Sequence, residues 1–167
     1  MAGGDRPARG ARVVLCPLPF QGHLSPMLHL AGALHARGLA VTVLHTAFNA
    51  PDPARHPGIT FVAVPDVIPE AVAATNNGIA KLLALNAAME ASGHVRDALA
   101  SLLAEEGAPW LACLIFDSLL SAAQNAAAGL ALPTLVLQTG SATSFRLFRS
   151  DTYDMLHDKG YLPATGS

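Results

Sequence analysis

The segment LPFQGHLSPMLHL, residues 18 to 30, places His23 between Gly22 and the beginning of a helix-like pattern. An imidazole there has two possible uses: it acts as a base, or it is a polar residue that satisfies a helix N-terminus from a turn. Asp117 directly follows the apolar run WLACLIF, and Thr139, Gly140 and Ser141 follow LPTLVLQ. In open parallel sheets ligands bind beyond the carboxyl ends of the strands, so a base, an acid and a hydroxyl are expected to face one crevice. A carboxylate bonded to one ring nitrogen fixes the imidazole tautomer and stabilises the imidazolium. The other nitrogen is then free to take a proton from a substrate hydroxyl or amine. A base positioned in this way contributes roughly 10²–10⁴ in rate. Asp117 also has a plainer role open to it, as the N-cap of a helix over 119 to 129.

The remaining histidines suggest no metal. His23, His29 and His35 recur every six residues, a spacing that carries a helical position about 240° past a full turn, so the three do not converge on one ion. PLPFQGH has a single glycine, and neither the dinucleotide fingerprint nor the P-loop pattern occurs, which disfavours an unrelated nucleotide-binding α/β domain.

The elements that must hold these residues alternate. RVVLCPLP (12–19) reads as a buried parallel strand. A helix follows, with Ser25 as N-cap, Pro26 at the first helical position, Met27, Leu30, Ala31 and Leu34 as its apolar stripe, and Gly38 as its stop. LAVTVLH (39–45) and ITFVAVP (59–65) read as strands, and the proline-interrupted TAFNAPDPARHPG between them as loop. Residues 76–106 have a helical pattern, with Val95, Leu99, Leu102 and Leu103 on one face and Gly93 as a break or kink. WLACLIF (110–116) is a strand, 119–130 a helix closed by Gly129, LPTLVLQ (132–138) a strand and 142–158 a last helix. Such alternation requires crossover helices between parallel strands, and the predicted fold is a doubly wound, mostly parallel α/β sheet flanked by helices.

Composition limits the partners. The chain has 167 residues, 51% hydrophobic and 13% charged, enough for one packed core. A formal net charge of −2 without a basic cluster argues against nucleic acid or a membrane surface and favours a small molecule. The N-terminal MAGGDRPARGAR precedes too short an apolar run for a signal peptide or a membrane span, so a cytoplasmic location is expected. Cys16 and Cys113 both lie in strand-like runs, where a buried, reduced thiol is the ordinary state.

PLPFQGHLSPMLHLAGALHARGLAVTVLHTAFN resembles the opening of the plant family-one UDP-dependent glycosyltransferases, enzymes of GT-B fold. CLIFDSLL is similar to the segment carrying that family's aspartate, LVLQTGSAT to its donor-sugar loop, and DKGYLP to a turn after a long helix. The resemblance covers residues 11 to 163. PFQGH followed by HTAFN looks most like the subgroup of steviol, cytokinin and grass benzoxazinoid glucosyltransferases.

The resemblance implies a role for each matching residue. His23 matches the general base that deprotonates the acceptor, Asp117 its charge-balancing partner, and Thr139 a donor-sugar contact. Phe20, Gly22, Leu119 and Ser144 match the acceptor side of the site. It implies transfer of a sugar, usually glucose from UDP-glucose, to a small lipophilic metabolite with inversion. UDP-sugar is then a co-substrate, with no further cofactor and no metal. It also implies a division into a flexible 1–10 and an acceptor-binding domain over 11–167, with the UDP-gripping C-terminal domain outside this chain. The isolated chain is therefore expected to be inactive in transfer and to expose an apolar surface. The alternative reading is a truncated, non-catalytic product that binds a hydrophobic ligand or a partner.

Overall fold

The computed structural model describes residues 10–48, 50–65, 78–142, 155, 158 and 159. It divides into two units, Met1–Leu137 and Gln138–Ser167. The first unit is an α/β sheet. Five strands, β1 (Ala11–Cys16), β2 (Ala40–His45), β3 (Thr60–Ala63), β4 (Trp110–Asp117) and β5 (Thr134–Leu137), run in the order β3-β2-β1-β4-β5. Every neighbouring pair is parallel. The chain therefore builds outward from β1 through β2 to β3, then returns to lay β4 on the other side of β1. The switch in direction falls between β1 and β4, the crevice where parallel sheets bind ligands.

Alternation along the strands sends side chains to two separate cores. Val13 and Leu15 of β1 join Val41, Val43 and Ile115 beneath Met27 and Ala31 of α1 (Gln21–His35). Val14 and Cys16 face the other way, with Leu44, Leu114 and Phe116, toward α2 (Gly78–Ser92), α3 (His94–Ala104) and α4 (Ser121–Ala128). Complete burial of a side chain such as Phe116 contributes about 1.5–3 kcal/mol. Arg12, buried at the start of β1, donates to the Leu102 carbonyl and, at 2.6 Å, to Glu105, tying β1 to the end of α3. Neither cysteine forms a disulfide; Cys16 is buried, and burial pushes the half-buried Cys113 thiol above its ordinary pKa.

The first helix differs from expectation at its start. It begins at Gln21, not after a Ser25 cap, so Pro26 lies inside it. Phe20, extended at φ −110° and ψ 142°, is the N-cap, and its carbonyl accepts from the amides of His23 and Leu24, both at 2.8 Å. Ser25 instead accepts from the Gln21 side chain at 3.2 Å. At the sixth helical position, past the first four amides, Pro26 removes the donor to the carbonyl of Gly22 and sets its ring against that carbonyl, a cost that packing of α1 must offset.

The predicted 76–106 helix divides where Gly93, at φ 68°, turns left-handed; residues 76 and 77 lie outside the described residues. The expected stop at Gly129 differs in kind. Gly129 remains right-handed at φ −63°, and the chain reverses two residues later at Ala131, φ 52°. Consecutive short-range bonds, Leu130 to Ala127 and Ala131 to Ala128, tighten the last turn and delay the reversal. Most of the predicted 142–158 helix lies outside the described residues.

Candidate active site

His23 occupies the third position of α1, just beyond the carboxyl end of β1, and Asp117 is the last residue of β4. Because β1 and β4 pair in parallel, with Cys16 opposite Phe116, both residues emerge at the same end of the sheet. His23 Nδ1 lies 2.9 Å from Asp117 Oδ2. The partners differ sharply in exposure: 27% for the His23 side chain and none for Asp117.

This difference assigns the roles. A buried carboxylate is costly unless its oxygens accept hydrogen bonds. Asp117 Oδ1 accepts from the Leu119 amide at 3.0 Å, and Oδ2 meets the imidazole. A carboxylate can only accept, so Nδ1 carries the proton and Nε2 is the unprotonated nitrogen. That is the tautomer a general base needs.

Asp117 is not the side-chain cap of the following helix. It organises the turn before it, through Oδ1 to Leu119 and its own carbonyl to the Leu120 amide at 2.8 Å. α4 starts at Ser121, with Leu120 as an N-cap that makes no side-chain bond.

Around the pair the surface is apolar. Leu119 is 45% exposed. Phe20, half-buried, meets the exposed Phe48 edge-to-face, with centroids 6.2 Å apart and rings at 75°. Gly22 is exposed, and a Cβ there would meet nothing within 4 Å. Thr139 and Ser144 belong to the second unit; Thr139 is half-buried, and Ser144 lies outside the described residues.

Two residues that the sequence reading passed over belong to this neighbourhood. Phe48 follows β2 at the ligand end of the sheet, and its carbonyl accepts from the buried Thr46 hydroxyl at 3.3 Å. Asn86 is the one amide in the apolar stretch ALNAAM, and three of its four bonds reach the segment after Asp117. The signals were a strand-end aromatic and an amide within the apolar run ALNAAM.

A separate cavity of about 520 Å³ opens at the amino ends of the strands, lined by Arg12, Ala40, Thr60, Leu102, Glu105 and Pro109. Its one buried cation is already committed to Glu105 and the Leu102 carbonyl. Among the described residues, no three His, Cys, Asp or Glu side chains form a metal-ligand group, and no helix is long and apolar enough to cross a membrane.

No family profile matches the chain. It is 44% identical over 162 residues to the DIMBOA UDP-glucosyltransferase BX8 of Zea mays, an alignment covering 92% of this chain and 34% of that protein. The chain corresponds to the N-terminal portion of the plant family-one UDP-glycosyltransferases. UDP-glycosyltransferase 76F2 of Arabidopsis thaliana is 36% identical over 162 residues, covering 93% of this chain and 34% of the relative. The solved structure of Phytolacca americana UGT2 complexed with UDP-2fluoro-glucose and pterostilbene matches with a TM-score of 0.65 at 25% identity, over 87% of this chain and 35% of that one. A UDP-glucosyltransferase from Polygonum tinctorium shares the fold, with a TM-score of 0.68 at 18% identity, over 92% of this chain and 34% of that one. The chain thus has the GT-B N-terminal fold and spans about a third of the length of the curated relatives it matches.

Proposed function

We infer that this chain is the acceptor-binding portion of a UDP-sugar glycosyltransferase, and that His23 is its general base. The supporting observation is the 2.9 Å contact between a partly exposed imidazole and a wholly buried carboxylate at the switch point of the sheet. An acceptor hydroxyl or amine placed against Nε2 loses its proton as its heteroatom bonds to the anomeric carbon of the sugar. The bond from that carbon to UDP breaks on the opposite face, which inverts the centre. Positive charge then grows on His23 and is met by Asp117, already bonded to Nδ1. Phe20, Phe48 and Leu119 supply apolar surface for a lipophilic acceptor.

Donor contacts from Thr139 and acceptor contacts from Gly22 and Ser144 are part of this proposal, carried by the family resemblance. UDP-glucose is the proposed donor and the cytoplasm the proposed compartment. The grip on UDP is assigned, on the family resemblance, to a further domain; the curated relative BX8 is about three times as long as this chain. The 167-residue chain alone should therefore bind an acceptor without turning over UDP-sugar. Residues 1–167 joined ahead of the remaining C-terminal part of the maize relative BX8 should transfer glucose to a small hydroxylated aromatic. DIMBOA, named for that relative, is the first acceptor to test. Robust turnover by the 167 residues alone would contradict the division of labour. Acceptor binding with no transfer by the folded joined protein would favour the non-catalytic alternative.

A further inference from the structure

Asn86 lies on α2, away from both segments that carry the dyad, and is 9% exposed. Its amide is fully used. Oδ1 accepts from the Ala122 amide at 2.9 Å and from the Ser121 hydroxyl at 3.1 Å. Nδ2 donates to the Leu119 carbonyl at 3.0 Å and to the Leu82 carbonyl, one turn back in its own helix, at 3.1 Å. Two donors and two acceptor bonds exhaust a carboxamide. The opposite amide orientation is excluded, because it would face NH₂ toward the Ala122 N–H and oxygen toward two carbonyls.

These bonds do two things for the turn that precedes α4. First, α4 has no capping side chain of its own, and Asn86 supplies the missing acceptor from another helix. Second, Leu119 is held at both of its backbone polar groups: its carbonyl by Asn86, and its N–H by Asp117 Oδ1. An unbroken series of hydrogen bonds therefore runs from Asn86 through Leu119 to Asp117, and from Asp117 Oδ2 to His23 Nδ1.

We propose that Asn86 is a positioning residue for the His23–Asp117 pair. By fixing the 118–122 turn it keeps the Leu119 N–H on one carboxylate oxygen, so that the other is presented to the imidazole. The same hold sets the Leu119 side chain at the acceptor side. The inference deepens the general-base reading and rests on it for its functional meaning. Its structural content is measurable without transfer. A second link between the same helices, Glu90 accepting from Asn125 at 2.6 Å, is exposed and serves as the control for helix docking in general.

The test reads the ring nitrogens of His23 by ¹⁵N NMR in the 167-residue chain, with the imidazole neutral. The unsubstituted chain should give widely separated signals, the protonated nitrogen being Nδ1. In Asn86→Ala the two signals should draw together as tautomers mix, and the Nδ1 proton should exchange with water at least about tenfold faster, because a buried polar network loosens once one member is removed. Glu90→Ala should leave the spectrum unchanged. If Asn86→Ala does not fold, Asn86→Ser, which leaves less empty space, is read in its place with the same expectation. A folded Asn86 variant with the unsubstituted tautomer signature and exchange rate overturns the proposal. So does an equal loosening in Glu90→Ala. A joined protein whose transfer rate survives His23→Ala overturns the general-base reading instead and leaves this spectrum unaffected, so the two failures are distinguishable.

Discussion

Asp117 carries a carboxylate with no solvent exposure, and each of its oxygens has a donor, the Leu119 amide and the His23 ring. The second bond fixes which imidazole nitrogen is unprotonated, and this leads to a prediction at the level of one atom. Asp117→Asn preserves size and can still accept from Leu119, but turns an NH₂ toward His23. Nδ1 must then be the acceptor, the proton moves to Nε2, and the base is lost with little change in fold. Transfer by the joined protein should fall by roughly 10³–10⁴, the scale seen when a triad carboxylate is amidated and the tautomer inverted. Thermal unfolding of the variant checks that the fold is intact, and a rate within a few-fold of the unsubstituted protein would refute the tautomer assignment. The pairing of His23 with Asp117 was legible because both residues follow strand-like runs, and parallel strands deliver their ends to one edge. Asn86 was not, since nothing local in ALNAAM says that its amide meets a turn more than thirty residues ahead.

At the scale of elements, periodicity carried the strands and helices among the described residues, where the differences lie at helix boundaries and in a short 3-10 turn, Pro53–Arg55, inside the expected loop. α1 starts four residues before Ser25 because an extended Phe20 caps it through its backbone carbonyl, which leaves no residue-type signal. The end of α4 is similar: the left-handed residue is Ala131, while the more suggestive Gly129 remains helical. Gly93 behaved as a break because a φ of 68° suits a residue without Cβ. A methyl there would meet nothing within 4 Å, so Gly93→Ala tests conformation alone and should cost about 1–2 kcal/mol. Ala131→Gly should have the opposite sign, a gain of at most about 1 kcal/mol once the looser unfolded chain is counted. Urea denaturation of both variants checks the pair. Destabilisation by Ala131→Gly, or a neutral Gly93→Ala, would contradict the backbone reading.

At the scale of the whole molecule, the strand order β3-β2-β1-β4-β5 is what makes the site. It sets the two strands that carry the dyad side by side, although about ninety residues separate His23 from Asp117. Alternation alone predicted a doubly wound sheet; it did not predict which strands would be neighbours, because that order is set by long-range packing. The outer strand β5 leaves Leu135 58% and Val136 59% exposed, an apolar edge of the kind that pairs with other chains. The 167-residue chain should therefore self-associate as its concentration rises, and Val136→Lys should suppress this. Sedimentation velocity checks the pair of expectations, and equal association of both chains would show that β5 is not responsible. The general-base assignment is tested most directly by the rate of glucose transfer from UDP-glucose in the joined protein with His23→Ala. The account predicts a fall of roughly 10²–10⁴ with acceptor binding retained. A transfer rate equal to that of the unsubstituted protein would contradict it.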